Sequence, residues 1–140
     1  MKILSINGLT IDGQNLPVNR QTVNRRAEGD FGERLALKFL SAKGYRLIER
    51  NWCIRGGEID LILQKNGILV FAEVKTRRGN AFGHPAEAIG MRKKIKLLHA
   101  VRTYLKETNV KLPWRCDLVV IQFTSRIEAQ ISIYKNIFSD

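Results

Sequence analysis

Glu58, Asp60, Glu73 and Lys75 are charged residues set in apolar, strand-like sequence. Their spacing around one turn decides what chemistry they could do. Between them lies Lys65-Asn66-Gly67-Ile68, and Asn-Gly is the strongest short hairpin signal, because both central residues of a type I′ turn need positive φ. With Asn66 and Gly67 as the loop, Lys65 pairs with Ile68, and each step inward adds one residue per strand. Asp60 then falls opposite Glu73, and Glu58 opposite Lys75. Side chains alternate along a strand, so all four are expected on one face of the sheet. Directly opposed β-carbons lie ~4.5–5.5 Å apart, where like charges destabilise the pair. A cation between Asp60 and Glu73 would remove that conflict. Magnesium fits: it takes carboxylate oxygens, keeps several waters and bridges to phosphate. Lys75 beside it could orient or help deprotonate a water, or stabilise charge building on a phosphate. In the plainer alternative Glu58 and Lys75 form a cross-strand ion pair and Asp60 is solvated.

The elements that must position these groups follow from periodicity. Phe31, Leu35, Phe39 and Ala42 recur at helical spacing from Phe31 to Lys43, and Gly44 is a C-terminal stop. Tyr45 to Trp52 reads as a first strand, Arg55-Gly56-Gly57 as a turn, and 58–63 and 68–76 as two more strands. A basic loop, Arg77 to Gly83, follows, in which Phe82 is a candidate to stack on a base. Pro85 suits the first turn of a helix, which Leu97, Leu98, Val101, Tyr104 and Leu105 carry to about Glu107 on one apolar stripe. Cys116 to Phe123 is a nearly continuous apolar run, suited to a strand covered on both faces. Ile131, Ile133, Tyr134, Ile137 and Phe138 indicate a last strand. The order helix, three strands, helix, two strands implies an α/β fold, a mixed sheet flanked by helices in a single domain spanning 27–140. Residues 1–26 show no sustained periodicity and read as a flexible, basic N-terminal extension.

The 140 residues carry 24 Lys and Arg against 13 Asp and Glu, a formal net charge of +11. Such an excess attracts polyanions, with nucleic acid first among them. Arg92, Lys93, Lys94 and Lys96 crowd the early turns of the second helix, where cations oppose the helix dipole. Together with Arg55, Arg77 and Arg78 near the carboxylates, they form a candidate phosphate-backbone surface. Membrane attachment fits less well, because the apolar stripe of that helix is needed for the core. The two cysteines, Cys53 and Cys116, are far apart and read as buried thiols, and His84 and His99 are isolated. Zinc, redox and triad chemistry therefore have little material. No apolar stretch approaches the ~20 residues of a membrane span. Asn7-Gly8 interrupts what could be a signal-peptide core, so the cytoplasm is the expected compartment.

Asp60, followed after twelve residues by Glu73-Val74-Lys75, resembles the PD-(D/E)xK pattern of restriction endonucleases and archaeal Holliday-junction resolvases. More closely, the chain resembles the YraN family of endonuclease-like bacterial proteins. The resemblance rests on Gly29-Asp30-Phe31-Gly32-Glu33, Gly44-Tyr45, Arg55 to Ile62, Phe71 to Arg77, Pro85 to Ile89 and the lysine-rich helix. It covers residue 27 to the C-terminus and implies a restriction-endonuclease-like fold. It also implies Asp60 and Glu73 as ligands of Mg2+, with Mn2+ able to substitute, and Lys75 as the catalytic lysine. Glu33 matches the additional acid that resolvase-like members bring to the metal; on its own sequence it reads equally as a surface or capping residue. Glu58 is split between supporting Lys75 and a plain ion pair. Ile59 stands where the pattern's name has proline, and the N-terminal extension is longer than the family core. The implied activity is metal-dependent hydrolysis of DNA, with branched or otherwise non-duplex DNA as a candidate substrate and a homodimer as a candidate assembly. The alternative is a non-catalytic nucleic-acid-binding or scaffolding module that keeps the nuclease fold.

Overall fold

The computed structural model describes residues 3–7, 10–11, 14–15, 25–78, 89–125 and 128–138, with side chains from residue 29 onward. Helix α1 (Arg25–Ala42) precedes strands β4 (Arg46–Ile54), β5 (Gly57–Lys65) and β6 (Ile68–Arg78). Helix α2 (Met91–Thr108) crosses to β7 (Trp114–Phe123), and β8 (Glu128–Tyr134) closes the fold. Ahead of α1 lie β1 (Ile3–Asn7) and a small two-stranded ribbon of β2 (Thr10–Ile11) and β3 (Gln14–Asn15). The sheet order is β1-β8-β7-β6-β5-β4, parallel between β6 and β7 and antiparallel elsewhere. A mixed sheet with one helix on each face is the restriction-endonuclease-like α/β arrangement. Among the described residues no helix is long and apolar enough to cross a membrane.

Each sequence feature has a local cause. Helix α1 ends as expected at Gly44, whose φ of +89° lets the amides of Lys43 and Tyr45 return to the Leu40 carbonyl. It begins several residues before the expected start, taking in Arg25 and Arg26. Asn66 and Gly67 have φ of 52° and 75°, so the expected hairpin turn forms and Lys65 pairs with Ile68. Strand β7 is covered on both sides. Val119, Ile121 and Phe123 join the α1-side core, and Cys116 and Leu118 the α2-side core. Gly57 is an obligate close approach: a β-carbon there would meet the Lys96 carbonyl and the Ala100 side chain. That contact seats the β4–β5 turn against α2.

Three expectations need correction. Residues 3–7, assigned by sequence to an extension ahead of the domain, pair antiparallel with β8 as the edge strand of the sheet. Their partner is remote in sequence, so no local periodicity announces them. Cys53 is exposed rather than buried, because β4 is the other edge strand and its outward face has no cover. Cys116 is buried, and that burial pushes its thiol up to about 12. Finally, Ile137 and Phe138 lie in a turn after β8, packed against the α2-side core, not in the strand itself. The expected roles of Phe82 and Pro85 fall at positions outside the described residues.

Candidate active site

The site is built where two ladders fail at the same place. Pairing of β5 with β6 follows the expected register through Leu61↔Ala72 and then stops, one step before Asp60 and Glu73. On the other side of β5, Arg50↔Leu61 and Trp52↔Ile59 pair, whereas Asn51 and Asp60 drop out together. Strict alternation would put Ile59 on the same face as Leu61. Instead Leu61 packs in the α1-side core, and Ile59 packs with Trp52 on the α2 side. Both strands therefore exchange faces at the Asn51/Asp60 level. Asn51 has φ of 50°, a left-handed conformation that asparagine tolerates better than most residues. The expectation that Glu58, Asp60, Glu73 and Lys75 share one face fails at Asp60 for this reason.

The break turns Asp60 toward the gap it opens. From Lys65/Ile68 onward, hydrogen-bonded and non-bonded rungs alternate, so an intact ladder would send the Val74 amide to the Ile59 carbonyl. Here the Val74 amide donates to Asp60 Oδ2 at 2.8 Å. Asp60 thus meets Glu73 through the opened ladder, hydrogen-bonded to it, not as a rung neighbour. Glu73 remains on the α2 face with Leu69 and Phe71, and alternation gives Lys75 the same face. Among the described residues Lys75 makes no ion pair.

Burial and crowding dominate the electrostatics. Asp60 is 8 % exposed and Glu73 2 %. Burial and then the Asp60 charge push the Glu73 carboxyl up to about 8. Burial also raises Asp60, against the pull of the Val74 amide. Glu33, projecting from α1, is raised to about 7 by burial and by the charges of Asp60 and Asp30, while its hydrogen bond from Asn51 acts the other way. Glu33 Oε2 and Glu73 Oε2 are both buried and, among the described residues, have no hydrogen-bond partner. Buried acceptors left unpaired are costly. Close packing at Gly32, where a β-carbon would collide with Thr76 Oγ1, holds this turn of α1 against β6.

Sequence reasoning missed a cation here. Lys93, assigned to the phosphate-binding surface, places Nζ 3.2 Å from Glu73 Oε1 and 3.5 Å from Glu58 Oε1. Burial works against its charge, but the carboxylates of Glu73, Asp60 and Glu58 together hold its ammonium above its usual range. Glu58 therefore partners Lys93 and, more weakly, the Cys53 thiol at 3.9 Å, rather than Lys75. With the ladder open, Glu58 and Lys75 no longer face each other. No local pattern marks Lys93, which reaches the carboxylates only because α2 packs on β5. Asn51 was also missed; its signal was an asparagine in the middle of a strand.

The remaining basic candidates surround the same end of the sheet, where β6 ends, β5 begins and α2 starts. Arg55 is exposed in the β4–β5 turn, Arg77 and Arg78 are exposed at the end of β6, and Arg92 and Lys96 are exposed on α2. Lys94 is half-buried. The Arg78 guanidinium lies 5.4 Å from the centroid of the Phe123 ring. Helix α2 has no acid in its first turn and no side-chain cap, and Glu58 and Glu73 supply the missing negative charge from the sheet. An open cleft of about 370 Å³ lies between the β4–β5 turn and α2, lined by Cys53, Gly56, Glu58, Lys93 and Lys96 among others; it reaches Glu58 and Lys93 but is not lined by Asp60, Glu73 or Glu33.

The donor set is made of hard oxygens, two of them without a hydrogen-bond partner among the described residues. Asp60, Glu73 and Glu33 could hold a divalent cation such as magnesium. Among the described residues they do not already converge as a three-ligand shell. Lys93 engages one Glu73 oxygen and the Val74 amide one Asp60 oxygen, so an ion that took both oxygens of either carboxylate would displace these partners.

The profile of the uncharacterised protein family UPF0102 matches residues 32–121. A UPF0102 protein of Symbiobacterium thermophilum is 46% identical over 98 residues, covering 69% of this chain and 83% of that protein. One from Dehalococcoides mccartyi is 37% identical over 114 residues, covering 81% and 93% respectively. One from Clostridioides difficile is 32% identical over 117 residues, covering 83% of this chain and all of that protein.

Proposed function

The chain belongs to the uncharacterised protein family UPF0102, and we propose that it is a divalent-cation-dependent phosphodiesterase acting on nucleic acid, specifically a DNA endonuclease. The observation that carries this reading is the pair of buried oxygens on Glu33 and Glu73 that have no hydrogen-bond partner among the described residues, beside buried Asp60. Acids gathered in this way must be neutralised by protons or by a cation. A protein that only bound nucleic acid would gain nothing from them, since they repel phosphate. Their position at the rim of a basic sheet end, in a chain of net charge +11, brings phosphate to them.

In this mechanism Asp60 and Glu73 hold magnesium, for which manganese can substitute, and Glu33 adds a third oxygen donor from α1. The bound ion would polarise a phosphoryl oxygen and lower the pKa of a water. Lys75, two residues along β6 from Glu73, brings a positive charge to the same face, to orient the attacking water or to stabilise charge developing on the phosphate. Arg55, Arg77, Arg78, Arg92, Lys94 and Lys96 hold the nucleic-acid backbone around the β4–β5 turn and the start of α2.

The test is cleavage of labelled branched, single-stranded and duplex DNA with magnesium or manganese, comparing wild type with Lys75→Ala prepared identically. Metal-dependent cutting that falls about 100-fold or more in the variant is expected, the usual loss when a positioned charge-stabilising group is removed. Equal cutting by both proteins would refute the site. Tight DNA binding without cleavage by wild type would hand the lead to the non-catalytic binding module.

A further inference from the structure

We propose that Lys93 is the resident counter-cation of the carboxylate site, a positioning residue that competes with the divalent cation and sets its affinity. This rests on the metal-site reading above and goes beyond it, because the PD-(D/E)xK pattern assigns its lysine to position 75 and no motif points to position 93. The ammonium of Lys93 lies 3.2 Å from Glu73 Oε1 and 3.5 Å from Glu58 Oε1. It thus stands at the carboxylate a divalent cation must engage. The pairing is not a surface accident: Glu73 is 2 % exposed, while the Lys93 side chain is one-third exposed, at 34%.

Position on the helix gives Lys93 an alternative location. It sits in the first turn of α2 and lines the open cleft with Lys96. One side of its reach meets Glu73 and the other opens on the cleft. Lysine carries its charge on a flexible stem with freely rotating donors, so it can leave Glu73 without moving the helix. Glu73 then has both oxygens for an incoming ion, since among the described residues Oε2 has no partner. The displaced ammonium stays at the cleft wall, where a phosphate would compensate it. Glu58, which is exposed, keeps the lysine near the site in either arrangement.

Removing this charge should therefore tighten metal binding, whereas removing a residue that helps hold the metal would weaken it. The experiment is calorimetric titration of manganese alone into the full chain, using wild type, Lys93→Met, Lys93→Arg and Lys75→Met. Lys93→Met is expected to bind manganese about tenfold more tightly than wild type, the scale of one nearby charge acting on a divalent ion at a partly buried site. Lys93→Arg, which keeps the charge, should stay near wild type. Lys75→Met should change the affinity less than Lys93→Met, because Lys75 is not paired with the carboxylates. Thermal melting of each variant without metal establishes that it is folded. If wild type and Lys93→Met bind manganese equally, or Lys93→Met binds more weakly, the role given to Lys93 is overturned and the metal site stands. If none of the proteins binds manganese, the metal site itself falls, and Lys93 with it.

Discussion

Replacing Glu73 with Gln is expected to reduce metal-dependent cleavage by about a thousandfold or more, the order expected when several kcal/mol of metal-supplied charge stabilisation is lost. It should do so without destabilising the metal-free protein near neutral pH. Glu73 is central to the buried group: it touches Asp60 and Lys93, and among the described residues one of its oxygens has no partner. Gln preserves the shape and removes the charge, so an ion loses a ligand while the core loses no volume. The ion pair with Lys93 disappears as well, but a pair whose lysine is one-third exposed contributes little. Near neutral pH the Glu73 carboxyl, pushed up to about 8 by burial and the Asp60 charge, is largely protonated, so Gln replaces a largely neutral group. Cleavage assays and melting temperatures on the same preparations separate the two effects. A variant that still cuts at a wild-type rate, or that unfolds where wild type is stable, would show that Glu73 has a different task.

The second large effect is an inverted dependence of stability on pH. Most carboxylates are depressed in a folded protein and stabilise it as pH rises. Here Glu73 moves from an ordinary 4.5 to about 8 and Glu33 from 4.5 to about 7, with Asp60 shifted in the same direction. Between those limits the folded chain holds more protons than the unfolded chain. Stability therefore declines as pH rises above about 4.5, and the loss is complete above about 8. In the presence of a chelator, the melting temperature should fall by about 5–10 °C across this window. Magnesium or manganese should restore it most strongly at the alkaline end, where no protons compete for the oxygens. Glu73→Gln should flatten the decline. Stability that rose steadily over the same window, with no response to metal, would contradict the raised values.

What the sequence revealed about this site was whatever depended on neighbours along the chain. Asn66-Gly67 set the hairpin and its register through Leu61↔Ala72, because a two-residue turn leaves a single pairing. Gly44 ended α1, and the apolar run from Cys116 marked a strand covered on both faces. Asp60, Glu73 and Glu33 are legible as candidate acids in the sequence, and in the fold the Asp60 carboxyl interacts with Glu73 and, electrostatically, with Glu33. Beyond that point tertiary forces took over. Where the ladder opens at Asn51/Asp60, Glu33 reaches across from α1 to Asn51, and Trp52 and Ile59 pack in the α2-side core. Neither contact is encoded in the hairpin. Lys93 looked like any lysine in a basic helix, and only the packing of α2 on β5 delivers it to Glu73. The exposure of Cys53 and the pairing of residues 3–7 likewise follow from which strands are edges, a property of the whole sheet.

In the proposed function Glu73, Asp60 and Glu33 form a divalent-cation site that is kept partly protonated when no ion is bound. Calorimetric titration of manganese near pH 7, in two buffers of different ionisation enthalpy, tests it without any nucleic acid. Saturable binding with release of about one proton or more per ion is expected, because carboxyls raised to about 7 and about 8 must give up protons to bind metal. Absence of saturable binding, or binding whose heat does not depend on the buffer, would contradict it.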